Sequence, residues 1–290
     1  MKFEKITNEN IDLLRPFLQS KGELSCELAP ANLVVWGRLY NNQFCIEDGM
    51  LFLKSGGIEN VTYSLPFGDI KKGMQKLVQH YGKLPPIWAQ QGERFDNFVA
   101  AYGDKFSITE ARDGFDYMYL SERLITLSGK KLHSKRNHIS AFTKAFNWEY
   151  EDITEENMEE VLQCADFWYT ENNHRLDKKM ETERDAIQFL LENREKYSVS
   201  GGAIRVDGKI IAFTLGSPVN SEVFNIHIEK ALGRYSTAYT VINREFAAHN
   251  LSGYKYINRE DDLGLEGLRK AKLSYHPDIL LKKYVCVPLG

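Results

Sequence analysis

The sequence predicts an α/β protein with mixed sheets, made of two halves in which the elements follow a similar order. Strand-like runs alternate with amphipathic helical segments along the whole chain, a pattern typical of folds that combine helices and sheets. The length of 290 residues suits two domains of roughly 100–200 residues each. We expect these domains at residues 1–125 and 126–290, related by the order of their elements and not by a residue-level repeat.

The first half contains several predicted hairpins. A short strand at residues 2–6 precedes a helix that ends near Gly22. The turn pairs Asn41-Asn42 and Asp48-Gly49 separate runs of strand-forming residues. Asp69 is a suitable N-cap for a helix that Gly82 ends. The other predicted elements are strands at 32–40, 43–47, 50–54, 60–65, 87–89, 107–112 and 115–120, and a helix at 93–102.

The second half begins with a linking segment at residues 121–129. A basic amphipathic helix follows, in which Ile139, Phe142 and Phe146 share one face. Asp207-Gly208 predicts a hairpin between two later strands. The remaining elements are strands at 148–151, 199–206, 209–217, 222–230, 254–258 and 279–287, an acidic helix after Thr154, and helices at 183–196, 235–249 and 263–271.

The composition excludes several classes of protein. The formal net charge is −3 and hydrophobic residues make up 43% of the chain, so the protein is not basic overall and can build a sizeable core. No apolar run reaches the roughly 18–20 residues that span a bilayer, and the first residues lack a signal-peptide core. We therefore expect no integral membrane segment and a cytoplasmic location. The sequence does not indicate an oligomeric state, and neither the four cysteines nor any His, Asp or Glu grouping has metal-site spacing.

Charged residues follow two strand-like runs in the second half. One run ends at Glu229-Lys230, and the other is followed by Arg259 through Asp262. Open α/β sheets bind ligands beyond the carboxyl ends of their strands, so we expect these side chains around one pocket. The alternative is a solvated loop in which Asp262 caps the next helix.

The residue types in this pocket suit group transfer. The catalytic candidates are Glu229 and Asp261, which can orient or deprotonate an amine or hydroxyl, and Tyr275, which can act as a general acid. Arginine and lysine bind carboxylates and phosphates. His227 is equally well explained as a buried histidine with satisfied hydrogen bonds. The candidate substrate-binding residues are His227, Lys230, Asn258, Arg259, Glu260, Arg269 and Lys272.

Two segments are candidates for binding the phosphate groups of a donor. Gly233 and Arg234 lie in a strand-to-helix turn, where free N–H groups at the start of the helix can bind an anion. A turn with a single glycine is more often an ordinary connection. Lys135 and Arg136 belong to the basic segment 130–144, which suits phosphate contacts or, alternatively, forms a solvated helix face.

Five stretches of the sequence resemble one protein family. They are GKKLHSKRNHI, GGAIRVDGKIIAFTLGS, HIEKA, INREDDLGLEGLRKAKLSYHP and the closing KKY. They resemble the DUF2156 family, which is also named after the C-terminal domain of phosphatidylglycerol lysyltransferase. The resemblance covers nearly the whole chain and is densest from Gly129 to Tyr284.

The resemblance implies a tandem of two GNAT-like (acyl-CoA N-acyltransferase) domains, of which the first is degenerate and the second carries the active cleft. It implies an acyltransferase whose acceptor is an amine or hydroxyl of a small molecule or lipid. The donor is either an aminoacyl-tRNA, which makes tRNA a partner, or an acyl-CoA, and no further cofactor is implied. The chain is also similar to the Fem aminoacyltransferases, whose second domain begins with a helix that Lys135, Arg136 and Ile139 match.

Two departures from these families keep alternatives open. Membrane lysyltransferases carry a multi-span membrane part that this sequence lacks. In the GNAT pyrophosphate loop Gly233 fits and Ser236 is near the small position, but the leading Arg or Gln is missing. The sequence therefore favours an aminoacyl-tRNA-dependent transferase. The alternatives are a CoA-dependent N-acetyltransferase and a non-catalytic module that binds tRNA or an anionic metabolite.

Overall fold

The computed structural model describes residues 1–19, 22–57, 60–172 and 178–289, without the side chains of Arg38 and residues 178–182. The chain folds into two compact units. The first contains Met1–Asp116, Asp261–Arg269 and Leu280–Gly290, and the second contains Tyr117–Glu260 and Lys270–Ile279. The C-terminal part of the chain thus contributes to both units.

The strands and helices are numbered in chain order. The strands are β1 (Glu4–Lys5), β2 (Gln43–Glu47), β3 (Met50–Ser55), β4 (Thr62–Ser64), β5 (Ile87–Gln90), β6 (Phe106–Glu110), β7 (Asp116–Leu120), β8 (Trp148–Asp152), β9 (Ser200–Val206), β10 (Lys209–Pro218), β11 (Val223–Ala231), β12 (Tyr256–Asn258), β13 (Ile279–Leu281) and β14 (Lys283–Pro288). The helices are α1 (Arg15–Leu18), α2 (Pro30–Val35), α3 (Gly37–Tyr40), α4 (Ile70–Tyr81), α5 (Glu93–Tyr102), α6 (Ser121–Thr126), α7 (His133–Ala145), α8 (Met158–Glu171), α9 (Lys178–Glu192), α10 (Arg194–Tyr197), α11 (Ala238–Asn250) and α12 (Glu266–Leu273).

The first unit is built on a seven-stranded sheet in the order β1-β2-β3-β4-β5-β14-β6. Strands β4 and β5 pair in parallel, and the other neighbours are antiparallel. Phe52 and Phe98 are among the buried residues of its core. Asp69 caps α4 by accepting the Lys72 N–H at 2.9 Å, and Gly82 ends the helix with a φ of +86°. The predicted start and end of this helix are confirmed.

The predicted strand at residues 32–40 is wrong, because this stretch forms helices α2 and α3. Pro30 lies in the first turn of α2, where its missing N–H costs no helical hydrogen bond. The buried Asn32 side chain donates to the Cys26 carbonyl at 3.0 Å. Asn41 follows α3 in the left-handed conformation, with a φ of 52°. These helix-end signals and tertiary contacts outweigh the strand propensity of the valine and aromatic residues.

The second unit is built on a sheet whose strands from β7 onward follow the order β7-β12-β11-β10-β9-β8. Helices α7 and α11 pack on it through Phe142, Val241 and Ile242. The stretch 121–129, expected to be a linker, begins with helix α6, which packs against α11. Both units combine helices with mixed sheets, which confirms the predicted α/β class. Among the described residues, no helix is long and apolar enough to cross a membrane.

A fully buried ion pair lies in the first unit. Lys283 Nζ is 2.7 Å from Asp116 Oδ1, and neither side chain is exposed. Asp116 also accepts the Cys26 N–H at 2.9 Å, and Lys283 Nζ lies 3.2 Å from Glu27. Burial by itself lowers the pKa of Lys283, but the charges of Asp116 and its neighbours outweigh burial and hold this pKa well above its ordinary value. Lys283 therefore stays charged and depends on Asp116.

Asp116→Ala is expected to lower the free energy of unfolding by about 3–5 kcal/mol, because it leaves the Lys283 ammonium buried without its main counter-charge. Glu110→Ala is the matched control, since it removes the partner of the adjacent Lys282 in a pair that is about half exposed. This control is expected to leave the free energy of unfolding nearly unchanged. Urea unfolding followed by circular dichroism measures both variants, and equal losses would contradict the prediction.

Candidate functional site

The parallel pairing between β11 and β12 ends early. Its register runs from Val223↔Tyr256 to Asn225↔Asn258, where β12 ends, while β11 continues to Ala231. The two strands therefore pair over three residues and then part. We call the opening between them the splay, formed by residues 226–231 of β11 and residues 259 and 260 after β12.

A β-bulge lies at the start of the splay. The pairs Leu215↔Ile228 and Gly216↔Ile226 leave His227 as an extra residue on β11. Bulges bend a strand and redirect its side chains. A Cβ atom at position 216 would collide with the backbone of β11. Glycine is therefore required where β10 approaches the bulge.

A buried ion pair lies at the centre of the splay. Arg259 Nη2 donates to Glu229 Oε1 at 2.6 Å, and each side chain is 11% exposed. Asn243 of α11 donates to the other Glu229 oxygen at 2.9 Å. In the described part of the chain, the buried atoms Arg259 Nη1 and Asn243 Oδ1 have no hydrogen-bond partner. Buried polar atoms are normally satisfied, so these two atoms indicate the capacity to bind a polar group.

Tyr275 joins one further cation, Lys135, to this pair. Its ring centroid lies 4.8 Å from Arg259 Cζ and 4.0 Å from Lys135 Nζ, both within cation–π range. Burial raises the pKa of Tyr275, so the phenol keeps its proton at neutral pH. Lys272 Nζ donates to the Arg259 carbonyl at 2.5 Å, which holds the backbone after β12 in place.

Lys135 lies on the buried face of α7 and not on its solvated face. Leu132, Ile139 and Phe142 lie on the same stripe, at spacings of three or four residues. No described carboxylate forms an ion pair with Lys135. Burial and the nearby charge of Arg259 lower the pKa of Lys135 to about 8. The basic pattern of this segment predicts phosphate binding by Lys135. Lys135 stands four residues before Ile139, and this helical spacing is the sequence signal that places Lys135 on the buried face.

A second network lies at the start of the splay. His227 Nε2 is 2.7 Å from Ser217 Oγ, and His227 Nδ1 is 2.9 Å from Asn225 Nδ2. The same Asn225 amide donates to Glu260 at 2.6 Å. Glu260 has a left-handed backbone, with a φ of 57°, and Asn258 Oδ1 accepts its N–H at 2.8 Å. The network holds the loop after β12 against β11. Ser217 is part of it, although no sequence motif indicates this residue.

Two candidates for ligand binding have intramolecular partners. Lys230 pairs with Glu183 at 3.0 Å and lies 3.8 Å from the Trp168 ring centroid. The Gly233 N–H donates to Glu171 at 2.9 Å. A carboxylate thus occupies the position at which a phosphate is expected, and a phosphate there requires Glu171 to move away.

The basic segment before and within α7 remains accessible in part. Arg136 donates to the carbonyl oxygens of Leu127 and Gly129, the latter at 2.9 Å. Arg234 is exposed, and its guanidinium lies 5.5 Å from the Tyr235 ring centroid. An open depression of about 400 Å³ at the start of α7 is lined by Gly129, Lys130, His133 and Arg136.

Asp261 and Arg269 belong to the first unit, whereas the other candidates belong to the second. Arg269 donates to both oxygens of the fully buried Asp262, at 2.7 and 2.8 Å, and to Asp113 at 2.6 Å. Asp262 also accepts the Gly264 N–H at 3.0 Å. These contacts make the Arg269–Asp262 pair a structural anchor of its loop.

Comparison with known proteins identifies similar sequences and folds. The sequence profile of the family described as "Phosphatidylglycerol lysyltransferase, C-terminal" matches residues 21–287. A conserved protein of unknown function from Bacteroides thetaiotaomicron is 38% identical, with a TM-score of 0.91 and coverage of 100% of both chains.

Two more distant crystal structures share the fold. One is the C-terminal DUF2156 domain of a protein assigned as a lysylphosphatidylglycerol synthetase from Agrobacterium fabrum, with 16% identity, a TM-score of 0.65, and coverage of 97% of this chain and 92% of that one. The other is FemX, with 10% identity, a TM-score of 0.57, and coverage of 100% and 98%. At such identities the likeness shows the fold alone. The chain thus shares its α/β fold, built on two sheets, with these proteins over nearly its whole length.

Lys135→Met is expected to be more stable than the wild type at pH 7, by at most about 3 kcal/mol. In the wild type the folded protein holds Lys135 with a pKa of about 8, below its ordinary value of 10.5. As the pH increases, Lys135 therefore loses its proton at a lower pH in the folded state than in the unfolded state. The free energy of unfolding of the wild type rises between pH values of about 8 and 10.5. The advantage of the variant is therefore expected to shrink over this range.

Urea unfolding of both proteins at several pH values measures this difference. Lys144→Met, on an exposed position of the same helix, controls for the loss of one positive charge. A constant difference between wild type and Lys135→Met across the whole range would contradict the prediction.

Proposed function

The chain belongs to the phosphatidylglycerol lysyltransferase C-terminal family, and from this membership we propose that it transfers an aminoacyl group from a charged tRNA to an amine or hydroxyl acceptor. Its family and fold are those of lysylphosphatidylglycerol synthetase C-terminal domains and GNAT-like acyltransferases. The acceptor class, a small molecule or a lipid, is part of the proposal, as is the location of the reaction in the second unit.

The observation that carries the proposal is the buried Arg259–Glu229 pair in the splay. Arg259 offers a buried N–H without a partner among the described residues, and this N–H can hold the carbonyl oxygen of the donor ester. Fixed donors of this kind stabilise the negative charge that develops on the oxygen during acyl transfer. Glu229 holds the guanidinium in place and leaves its own oxygens close to the position of an incoming acceptor.

The other candidate residues receive supporting roles in this proposal. Tyr275 keeps its proton and donates a hydrogen bond to the reacting ester. Lys272 fixes the backbone of Arg259. The network of His227 and Glu260 holds the loop after β12 against β11 at the bulge. Asp261 belongs to the first unit, and this proposal gives it no role.

The basic start of α7 supports a role for tRNA. Lys130, His133 and Arg136 line one depression, and local clusters of cations bind the phosphates of nucleic acids even on a protein with negative net charge. The position of Glu171 on the Gly233 N–H favours this donor over acyl-CoA, because a CoA pyrophosphate at that turn meets a carboxylate.

Purified protein incubated with a set of aminoacyl-tRNAs and candidate acceptors is expected to form an acylated product detectable by mass spectrometry. Glu229→Gln and Arg259→Lys are expected to reduce transfer by about 10²–10³-fold. The first removes the charge of the carboxylate that positions the guanidinium, and the second removes the guanidinium itself. Glu149→Gln, on an exposed position of β8, is the control and is expected to transfer at the wild-type rate.

Transfer from acetyl-CoA instead supports the N-acetyltransferase alternative. Tight tRNA binding without any transfer supports the binding-module alternative.

Replacement of both Lys130 and Lys131 by Glu is expected to weaken tRNA binding and to lower its dependence on salt. Each lost phosphate contact reduces the slope of log K against log salt by about 0.7–0.9. Filter binding at several salt concentrations measures this slope. Lys209→Glu, on the exposed first residue of β10, is the control for charge alone. An equal effect of the control would contradict a specific role for the start of α7.

A further inference from the structure

A buried lysine without a carboxylate partner is unusual, because buried ammonium groups are normally neutralised by a paired charge. Lys135 is 8% exposed. The nearest acidic group of the cluster, Glu229, is held by Arg259 and Asn243. The guanidinium of Arg259 cannot release its proton in a protein. Of the two cations beside the Tyr275 ring, Lys135 is therefore the one that can become neutral.

We propose that Lys135 is the base that accepts the proton of the attacking amine or hydroxyl. This inference rests on the proposed function and assigns its proton transfer to one residue. The nitrogen or oxygen of the acceptor forms a bond to the ester carbonyl carbon, and its proton moves to Lys135 Nζ. The ester C–O bond then breaks, and the Lys135 ammonium returns the proton to the departing oxygen. No proton is gained or lost overall.

The position of Lys135 suits this step. Its amine and the guanidinium of Arg259 contact the same Tyr275 ring, at 4.0 and 4.8 Å from the centroid. Tyr275 is therefore a neighbour common to both cations, and the proposal places the donor ester held by Arg259 within reach of the amine. Helix α7 carries Lys135 on its buried stripe, so the side chain lies inside the unit with its amine against the Tyr275 ring. A base must be positioned first and have a suitable pKa second.

The groups that face Lys135 explain why its pKa is lowered. Burial and Arg259, from the loop after β12, lower its pKa to about 8, and Glu229 on β11 raises it. Tyr275 stays protonated, since burial raises the pKa of its phenol. On α7 itself, His138 is exposed and lies one turn away. A base whose pKa lies near the working pH combines an adequate neutral fraction with useful basicity.

An anion-binding role for Lys135 predicts the opposite pH dependence. A base acts as the neutral amine, so transfer rises as the pH increases through about 8. An ammonium that binds phosphate or carboxylate acts as the cation, so transfer falls over the same range. The direction of the pH profile therefore separates the two roles.

The experiment uses the full chain and the aminoacyl-tRNA transfer assay from about pH 6.5 to about pH 9.5. For the wild type, kcat/KM is expected to rise about tenfold per pH unit at the acidic end and to level off above the pKa of Lys135. Lys135→Ala is expected to lose at least about 100-fold and to lose this rise. Added methylamine is expected to restore part of the rate, because it can occupy the space of the missing amine, whereas guanidinium is not. Lys144→Ala is expected to match the wild type.

A fall in transfer through pH 8, a flat profile, or full activity of Lys135→Ala would overturn this role and leave the transfer reaction established. Absence of transfer by the wild type with every donor would instead refute the proposed function. The amine is also examined directly by NMR of protein labelled with ¹³C at the lysine ε-carbons, with Lys135→Ala to assign the resonance. Where transfer is observed, a midpoint near pH 8 supports the role of Lys135 as the base, and a midpoint at the ordinary lysine value overturns it.

Discussion

The early end of the parallel pairing between β11 and β12 is the constraint on which the candidate site depends. A complete ladder would fill the space between the strands with backbone hydrogen bonds and neighbouring side chains. After Asn225 and Asn258 no such ladder exists, so polar side chains must complete the interior. Arg259 and Glu229 can therefore be buried together, and the bulge at His227 directs a second network towards the same opening.

Arg259, Lys272 and Lys135, three of the largely buried cations of the second unit, are stabilised by three different physical means. Arg259 has a carboxylate partner in Glu229, and Lys272 donates to a backbone carbonyl. Lys135 instead has an aromatic ring and a lowered pKa. A carboxylate or carbonyl partner favours the charged form of a cation. The surroundings of Lys135 instead let its amine gain and lose a proton near pH 8, as acid–base chemistry requires.

Much of the fold could be predicted because local signals mark its elements. Asp69 and Gly82 determine the ends of α4, and Asp207-Gly208 determines the turn between β9 and β10. The helices at residues 30–40 could not be predicted in this way, since their strand-forming residues are held in helical turns by Pro30 and by tertiary contacts. Local propensity is a weak guide when distant parts of the chain decide the packing.

The position of the candidate site was proposed from the sequence, but its pairings could not be. Charge at two strand ends draws attention to the region, yet Glu229 and Lys230 are adjacent on one strand and their side chains point in opposite directions. Glu229 reaches Arg259, and Lys230 reaches Glu183. Asp261 and Arg269 follow Arg259 closely in sequence, but they belong to the other unit. The sequence does not show where a chain leaves one unit for the other.

The position of β14 has a consequence for synthesis. This strand lies between β5 and β6 in the sheet of the first unit, although it follows every other strand in the chain. On the ribosome, β5 and β6 therefore emerge long before the strand that separates them. Their unpaired edges are open to other chains during that interval, which is a common route to aggregation. The unit that begins the chain is completed last, and its early strands need protection until translation has passed residue 288.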